Sequence, residues 1–407
     1  MLTNLFSEPY SWANQSVAGV GPVNNLYWIY PISFSFGLLH KLFGLSTDVL
    51  IRLLFYYPAL VGSIISPILL ARHAGHSKTV QFFASLVYTF NTSFILIVDG
   101  GQVGVALAYG IFPLAILFLR KLKDFPNLAQ FYKSLGIFML LVIADARIAI
   151  IALVTAMLWW FVEVLTKAES ASKKHIQIFA LFCLSIVGLS AYWLYPALKL
   201  LPGEYTLGER PLELLSLLNS LTLFQPHWPA NEFGKVSPVP FYFIGIPILA
   251  FGSLAVKRKN VFIYALLFLV FAFLSKGTTP PLGGIYSAFI EKIPLGAAFR
   301  DSSKFLMPTI LFGSILIGIT ADSVYNYIST RRKVLGKVVL FLLASYLLFL
   351  VSQGLTGQMR NVLSGEVSSP EFAKINNLLS GSGDFRSAWF IEDHPLAFST
   401  FKKPGLD

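Results

Sequence analysis

The sequence predicts an all-α fold, a polytopic transmembrane helical bundle of about nine or ten crossings with outer-face loops and interfacial helices. Of its 407 residues, 55% are hydrophobic and only 13% are charged, and the mean hydropathy is +0.68. A typical soluble domain carries about twice that proportion of charged residues. Long apolar segments alternate with short polar ones, which is typical of helices that cross a membrane.

Nine apolar segments are suited to crossing a bilayer as helices. In chain order they are 49–70, 80–98, 103–119, 148–165, 176–194, 241–256, 261–274, 305–319 and 338–351. A tenth, shorter crossing is predicted at 134–144. Two other segments, 26–39 with its Pro31 and the amphipathic 211–223, favour helices that lie in the membrane interface.

The apolar segment 131–165 is too long to be one transmembrane helix. At about 1.5 Å per residue it would span roughly 50 Å, against a hydrocarbon core of about 30 Å. Asp145 and Arg147 are the charged residues in its middle, and such charges are costly at bilayer depth unless they line a protein or water cavity. We therefore expect two helices that meet at this pair in an internal cleft. The alternative is a buried structural pair that only ends two helices.

The basic residues predict the topology. Five clusters contain 16 of the 31 lysines and arginines. The clusters are at 72/78, 120/121/123/133, 167/173/174, 257/258/259 and 331/332/333/337. All five fall on one side if 131–165 is a hairpin, and the positive-inside rule makes that side cytoplasmic. The net charge of +11 therefore indicates membrane orientation and not nucleic-acid binding.

This topology predicts three regions. Residues 1–48 form an outer loop with an interfacial helix, residues 49–354 form the transmembrane domain, and residues 355–407 begin an outer soluble region. The expected location is the plasma membrane, with several crossings and the polar outer loops facing away from the cytoplasm.

Several sequence stretches, in this order, carry a family resemblance. They are 9–14 with 29–31 and 44–46, then 91–94 with 100–114, then 294–305, and finally 369–390. Together they resemble the glycosyltransferase C superfamily, in particular polyprenyl-phosphate-sugar-dependent transferases similar to arabinofuranosyltransferase D. Many relatives carry Gly-His where this chain has Gly101-Gln102. The resemblance implies that a sugar is moved from a polyprenyl-phosphate carrier to a glycan, glycolipid or glycoprotein at the outer face of the cell envelope.

The same resemblance raises the question of the catalytic base. Relatives place an Asp just after their first transmembrane helix, whereas here Glu8 is the acidic residue before Asp48 and does not match that position. We expect that the chain starts after the relatives' first helix and ends inside their outer domain, or that it lacks catalysis.

Arg300 and Lys304 are the candidate ligands of a lipid phosphate. They are four residues apart, so a helix starting near Asp301 would place both on one face. Arginine grips phosphate in a bidentate manner and lysine supplies a point charge. The alternative is that Asp301 caps the helix while the two cations anchor it at the interface.

Carboxylates and polar loop residues complete the candidate site. Asp145 or Asp99 would orient the acceptor and take its proton, although turn chemistry alone also explains Asp99. Arg147 would help to hold the phosphate. Asp301, Gln102 and His227 are further substrate-binding candidates, and for His227 a plain surface position is the alternative. The sequence requires no cofactor, although a divalent metal ion assists some transfers of this kind.

Two other functions remain open. Asp145 and Arg147 in a broken span are also compatible with a transporter or lipid flippase, and a non-catalytic scaffold would keep the fold without the base. The chain lacks GxxxxGK[ST], HExxH and GxSxG patterns, which argues against a nucleotide-driven pump, a zinc protease and an α/β-hydrolase. The expected partners are a polyprenyl-phosphate-linked sugar, membrane lipids and a glycan or glycoprotein acceptor, with no nucleic acid.

Overall fold

The structure of the protein is a computed structural model. It describes residues 28, 30–166, 173–200, 216–224, 230–231, 233–235, 238–293, 296–359, 362–363, 374 and 377–378. Helices make up nearly all of this part of the chain, and its one strand pairing joins β1 (Ala230–Asn231) to β2 (Gly234–Lys235). The predicted all-α fold is therefore confirmed. His227, residues 211–215 and most of 355–407 lie outside the described residues.

The α-helices of the described residues run from the amino-terminal segment to the end of the bundle. They are α1 (Tyr30–Phe43), α2 (Thr47–Ile51), α3 (Tyr57–His73), α4 (Lys78–Thr89), α5 (Thr92–Asp99), α6 (Val103–Asp124), α7 (Leu128–Ala144), α8 (Ala146–Leu165), α9 (Lys173–Leu189), α10 (Ala191–Leu200), α11 (Leu217–Leu221), α12 (Gly245–Gly252), α13 (Lys259–Ser275), α14 (Gly283–Lys292), α15 (Leu306–Ser329), α16 (Lys333–Phe349) and α17 (Ser352–Leu355). A π-helical turn, Arg52–Tyr56, joins α2 to α3, and short 3₁₀ segments flank α12 and precede α15.

Several helices are compatible with a multi-pass membrane protein. Four helical stretches are long and apolar enough to cross a bilayer: Asp48–His73, Val103–Asp124, Ala146–Leu165 and Ser302–Ser329. The bent pair α4–α5 makes a fifth if it counts as one span. Other predicted crossings are shorter apolar helices, which are Leu128–Ala144, Lys174–Leu189, Phe241–Ala255 and Lys259–Ser275.

The predicted hairpin in 131–165 is present. Asp145 has an extended backbone (φ −157°, ψ 111°) that separates α7 from α8. Near the start of α7, Ser134 Oγ donates a hydrogen bond of 2.8 Å to the Phe118 carbonyl oxygen of α6. Near the end of α8, Glu163 accepts one of 2.9 Å from Arg120, in the same part of α6. Both free ends of the hairpin therefore lie beside the carboxyl-terminal part of α6.

A second break was not predicted. Residues 80–98 read as one crossing, but the structure divides them into α4 and α5, which are bent by 40°. Asn91 caps α5 by accepting the Phe94 N–H at 3.0 Å, while its amide donates to the carbonyls of Val87 and Tyr88 and to the Tyr109 hydroxyl. The buried amide is thus fully used, which stabilises the bend.

Helix α15 forms the centre of the bundle. It packs against α4, α12, α13 and α16, and its residues from Leu306 to Ala321 are all buried. Phe312 contacts Trp159 of α8 edge-on and stacks with Tyr264 of α13. This aromatic cluster joins the two halves of the chain.

The helix ends are grouped at two sides of the bundle. At one side, His73 lies 3.0 Å from Asp124, and Ser77 donates a 2.7 Å hydrogen bond to Asp322. These contacts gather the carboxyl-terminal ends of α3, α6 and α15, where predicted basic clusters lie, and we call this side the basic end. The opposite side, where α7 meets α8, also contains the end of α13 and the start of α15, and we call it the break end.

Helices α3 and α6 cross with their backbones in close contact. A Cβ atom at Gly110 would lie 2.6 Å from the Ala59 carbonyl oxygen, and one at Gly62 would lie 2.8 Å from the Gly110 oxygen. Ser66 Oγ donates a 3.0 Å hydrogen bond to the same Gly110 oxygen. Close approach through small residues is a common way for helices to associate in membranes.

Gly110→Ala should therefore destabilise the protein. The added methyl group meets backbone atoms that cannot turn away, so we expect a loss of about 1–3 kcal/mol in the free energy of unfolding, measured by denaturation in detergent. Gly136→Ala in α7 is the matched control because nothing lies within 4 Å of its Cβ position. Equal stability of the two variants would contradict the close crossing.

Candidate functional site

The centre of the candidate site is a bidentate ion pair at the junction of α7 and α8. Arg147 Nε donates to Asp145 Oδ1 at 3.0 Å, and Arg147 Nη2 donates to Asp145 Oδ2 at 2.6 Å. Parallel bonds of this kind fix the orientation of the guanidinium group and strengthen the pair. The predicted meeting of two helices at this pair is confirmed.

Asp145 also explains why α8 begins where it does. Its Oδ1 accepts the backbone N–H groups of Arg147 at 2.9 Å and Ile148 at 3.4 Å, as a helix cap does. The Asp145 side chain is 3% exposed, whereas that of Arg147 is 31% exposed. The carboxylate is therefore enclosed, and the guanidinium group is the accessible half of the pair.

An aromatic residue from the amino-terminal segment covers Arg147. The guanidinium carbon lies 5.9 Å from the centre of the Trp28 ring, and this ring meets Trp193 of α10 edge-on at 6.0 Å. Tyr192 donates a 2.8 Å hydrogen bond to the Trp28 carbonyl oxygen. Trp28 was not among the sequence candidates, because a single tryptophan before a helix gives no sign of its distant partner.

The second part of the site is the turn before α15. Asp301 Oδ1 accepts hydrogen bonds from Ser303 N at 3.1 Å and from Ser303 Oγ at 2.6 Å. Its Oδ2 accepts a 2.6 Å hydrogen bond from Lys304 Nζ. Lys304 is thereby buried, while Arg300 is exposed.

The expectation that Arg300 and Lys304 share one helical face is wrong. Residues Ser302–Phe305 form a 3₁₀ turn that Asp301 caps, and Arg300 precedes it. Asp301 acts as a cap, as the alternative reading proposed, but its carboxylate also binds Lys304, which is buried and does not anchor the turn at the interface. Arg300 is exposed and lies outside the capped turn.

The two parts of the site come together. Asp301 lies close enough to Arg147 to interact with it electrostatically, although more than 150 residues separate them along the chain. Burial raises the pKa of the Tyr286 hydroxyl, and the negative charge of Asp301 adds to this shift. Tyr286 donates a 2.6 Å hydrogen bond to the Phe299 carbonyl oxygen, which holds α14 against the turn.

Lys276 is a further cation at the break end that the sequence did not single out. It follows α13, is almost completely enclosed, and donates a hydrogen bond to the Thr279 carbonyl oxygen. The carbonyl oxygen of the adjacent Ser275 accepts a 2.7 Å hydrogen bond from Ser302 Oγ. Burial lowers the pKa of the Lys276 ammonium group because the charged form loses hydration.

Asp99 and Gln102 lie on the turn between α5 and α6. Asp99 is buried, and its Oδ1 accepts the Leu363 N–H at 3.0 Å. Its backbone oxygen accepts the Val362 N–H at 3.2 Å. Gln102 is the residue before α6, and its carbonyl oxygen accepts the Ala106 N–H. Asp99 thus holds the segment that follows α17 against the turn.

The candidate site carries one more cation than carboxylate. Segments 145–147 and 300–304 together contain three cations and two carboxylates, and Arg300 and Arg147 are their more accessible cations. In the described part of the chain, no group of three or more His, Cys, Asp or Glu side chains is placed to hold a metal ion.

Comparisons with protein-family models, with curated proteins and with solved structures find no match to this chain.

The two halves of the ion pair should respond differently to substitution. Arg147→Gln leaves a nearly buried carboxylate without its counter-ion, so we expect a loss of about 3 kcal/mol in the free energy of unfolding. Asp145→Asn should cost less, because asparagine still caps α8 and the exposed part of Arg147 is hydrated. Denaturation in detergent measures both.

The double variant completes a thermodynamic cycle. It should cost less than the sum of the single variants, with a coupling of about 0.5–3 kcal/mol. Strictly additive losses would mean that the pair contributes nothing as a pair.

Proposed function

We propose that this chain is a membrane-embedded glycosyltransferase of the glycosyltransferase C type, which moves a sugar from a polyprenyl-phosphate carrier to an acceptor at the break end. The main support is the convergence of Arg147 and Asp301. Each belongs to a segment that sequence reasoning selected independently, and the fold brings them within electrostatic range. The acceptor is a glycan, glycolipid or glycoprotein.

The cations would serve the leaving group. In the transfer, an acceptor oxygen forms a bond to the anomeric carbon while the bond from that carbon to the carrier phosphate breaks, so negative charge develops on the phosphate. Arg147, Arg300 and Lys304 would bind and stabilise this charge. Arg147 is suited to the task because Asp145 fixes its orientation through two hydrogen bonds.

The geometry favours a changed division of roles among the carboxylates. Asp145 is enclosed, and both of its oxygens accept hydrogen bonds from Arg147, which makes it a positioning residue. Asp99 holds the segment near Leu363. Both oxygens of Asp301 also accept hydrogen bonds, from Ser303 and Lys304, but its side chain is 27% exposed, so it is the most accessible of these carboxylates for the acceptor's proton.

A transporter or lipid flippase is the alternative function. The bend of 40° between α4 and α5 and the break at Asp145 give two interrupted spans, which transporters use to form binding sites. An assay with radiolabelled sugar separates the two functions. Transfer from membrane polyprenyl-phosphate donors to an acceptor supports the enzyme, whereas movement of an intact lipid-linked sugar between leaflets without transfer supports the flippase.

Arg300→Ala should abolish transfer, with a fall of at least about a hundredfold if the arginine stabilises the developing phosphate charge. Its side chain is exposed and precedes the turn, so the free energy of unfolding should change little. The matched control is Arg332→Ala, an exposed cation at the basic end, which should transfer sugar at the original rate. Unchanged transfer by Arg300→Ala would remove this residue from the site.

The proposal also requires the break end to face outward across the plasma membrane. We expect a cysteine at position 300 to react with a membrane-impermeant maleimide in intact cells, in a Cys183→Ser background. A cysteine at position 332 should react only after permeabilisation, because the positive-inside rule places the basic end in the cytoplasm. The reverse labelling pattern would exclude an outward-facing site.

A further inference from the structure

A crevice lies between α6, α8 and α9 near the basic end, away from the site proposed for sugar transfer. Its wall residues come from the last turns of α6, the second half of α8 and the first half of α9. They include Arg120, Lys123, Met157, Trp160, Ile178 and Phe179. Most of these side chains are apolar, and the polar ones are basic or aromatic.

Two cations, Arg120 and Lys123, belong to the wall, and the carboxylates of Glu163 and Asp124 lie beside them. Arg120 and Lys123 share the carboxylate of Glu163, at 2.9 Å and 3.0 Å. The ion pair uses only the Nη2 nitrogen of Arg120, and the guanidinium carbon is held 4.0 Å from the centre of the Trp159 ring. The guanidinium group is thus fixed in place and has further N–H groups to donate.

Trp160 is a wall residue with an unused hydrogen-bond donor. Its Nε1–H is buried and has no hydrogen-bond partner in the described structure. The ring meets His175 edge-on, with centroids 6.3 Å apart. A buried donor without an acceptor is costly, so an acceptor atom supplied by a ligand would stabilise the arrangement.

The apolar part of the wall indicates the chemical class of that ligand. Met157 is exposed, and Ile178 and Phe179 are partly exposed beside it, in helices that are compatible with a membrane. A soluble anion would leave these side chains uncovered, whereas an acyl chain would cover them. Basic pockets between helices on the cytoplasmic side of a membrane are suited to anionic lipid headgroups.

We propose that this crevice binds an anionic phospholipid from the leaflet at the basic end. The headgroup phosphate would accept hydrogen bonds from Trp160 Nε1 and Arg120, with Lys123 as a further positive charge, and the acyl chains would lie along Met157, Ile178 and Phe179. The proposal does not depend on the sugar-transfer reaction, because none of these residues belongs to the break end.

Native mass spectrometry of the purified full chain tests the proposal by titration with phosphatidylglycerol and with phosphatidylcholine of the same acyl chains. Phosphatidylglycerol should bind more tightly. Trp160→Phe keeps an aromatic ring but removes the donor, so we expect it to weaken phosphatidylglycerol binding by about fivefold. Arg120→Gln should remove the preference for the anionic lipid. Lys121→Gln is the control, since it removes a neighbouring charge from outside the crevice.

Three results would overturn the proposal. They are equal binding of the two lipids, equal weakening by Lys121→Gln and Trp160→Phe, and binding of glycerol phosphate as tight as that of the intact lipid. The first two would indicate general surface attraction, and the third a soluble anion. Thermal unfolding confirms that each variant is folded. Arg120→Gln removes a partner of Glu163 and can unfold the protein for that reason. In that case the comparison of Trp160→Phe with Lys121→Gln tests the proposal.

Discussion

The bundle depends on a single constraint, which is that an aspartate and an arginine within an apolar segment need each other's charge. Asp145 satisfies Arg147 through two hydrogen bonds and also caps α8. Asp145 therefore lies where α7 ends, caps the start of α8 and neutralises Arg147. Because the break turns the chain back, α8 returns to the carboxyl-terminal part of α6. The end of α8 therefore meets the basic residues Arg120 and Lys123 of α6.

A second set of contacts decides where the elements of the break end can meet. Asn91 bends the α4–α5 pair, and the crossing at Gly110 brings α6 against α3 at backbone distance. Central helix α15 then connects these helices to α13 through buried aromatic rings. The turn that contains Asp301 precedes α15 directly. The position of this turn beside Arg147 is therefore a consequence of packing throughout the bundle and not of local sequence.

The sequence predicted a structural feature where neighbouring residues alone require it, as an unpaired charge in an apolar segment does. The break at Asp145 was foreseen because no neighbouring residue in an apolar segment can substitute for a counter-ion. The bend at Asn91 was missed because its stability depends on Tyr109, which reaches the amide from another helix. Helical spacing predicted that Arg300 and Lys304 share one face. The structure instead has a 3₁₀ turn there, which Asp301 caps. The approach of Asp301 to Arg147, and the enclosure of Lys276, depend on tertiary contacts that spacing does not contain.

The two ends of the bundle use similar residues in different ways. At the basic end, Glu163 lies between Arg120 and Lys123, and Asp124 accepts from His73, so these charges form a connected network along the helix ends. Such a network holds the helix ends together. At the break end, each carboxylate orients one cation, while Arg300 extends from the surface. Paired charges beside an exposed cation can exchange partners when an anion arrives, because the incoming charge replaces a carboxylate and leaves no buried ion uncompensated. This difference in connectivity supports the proposals of sugar transfer at the break end and of lipid binding at the basic end.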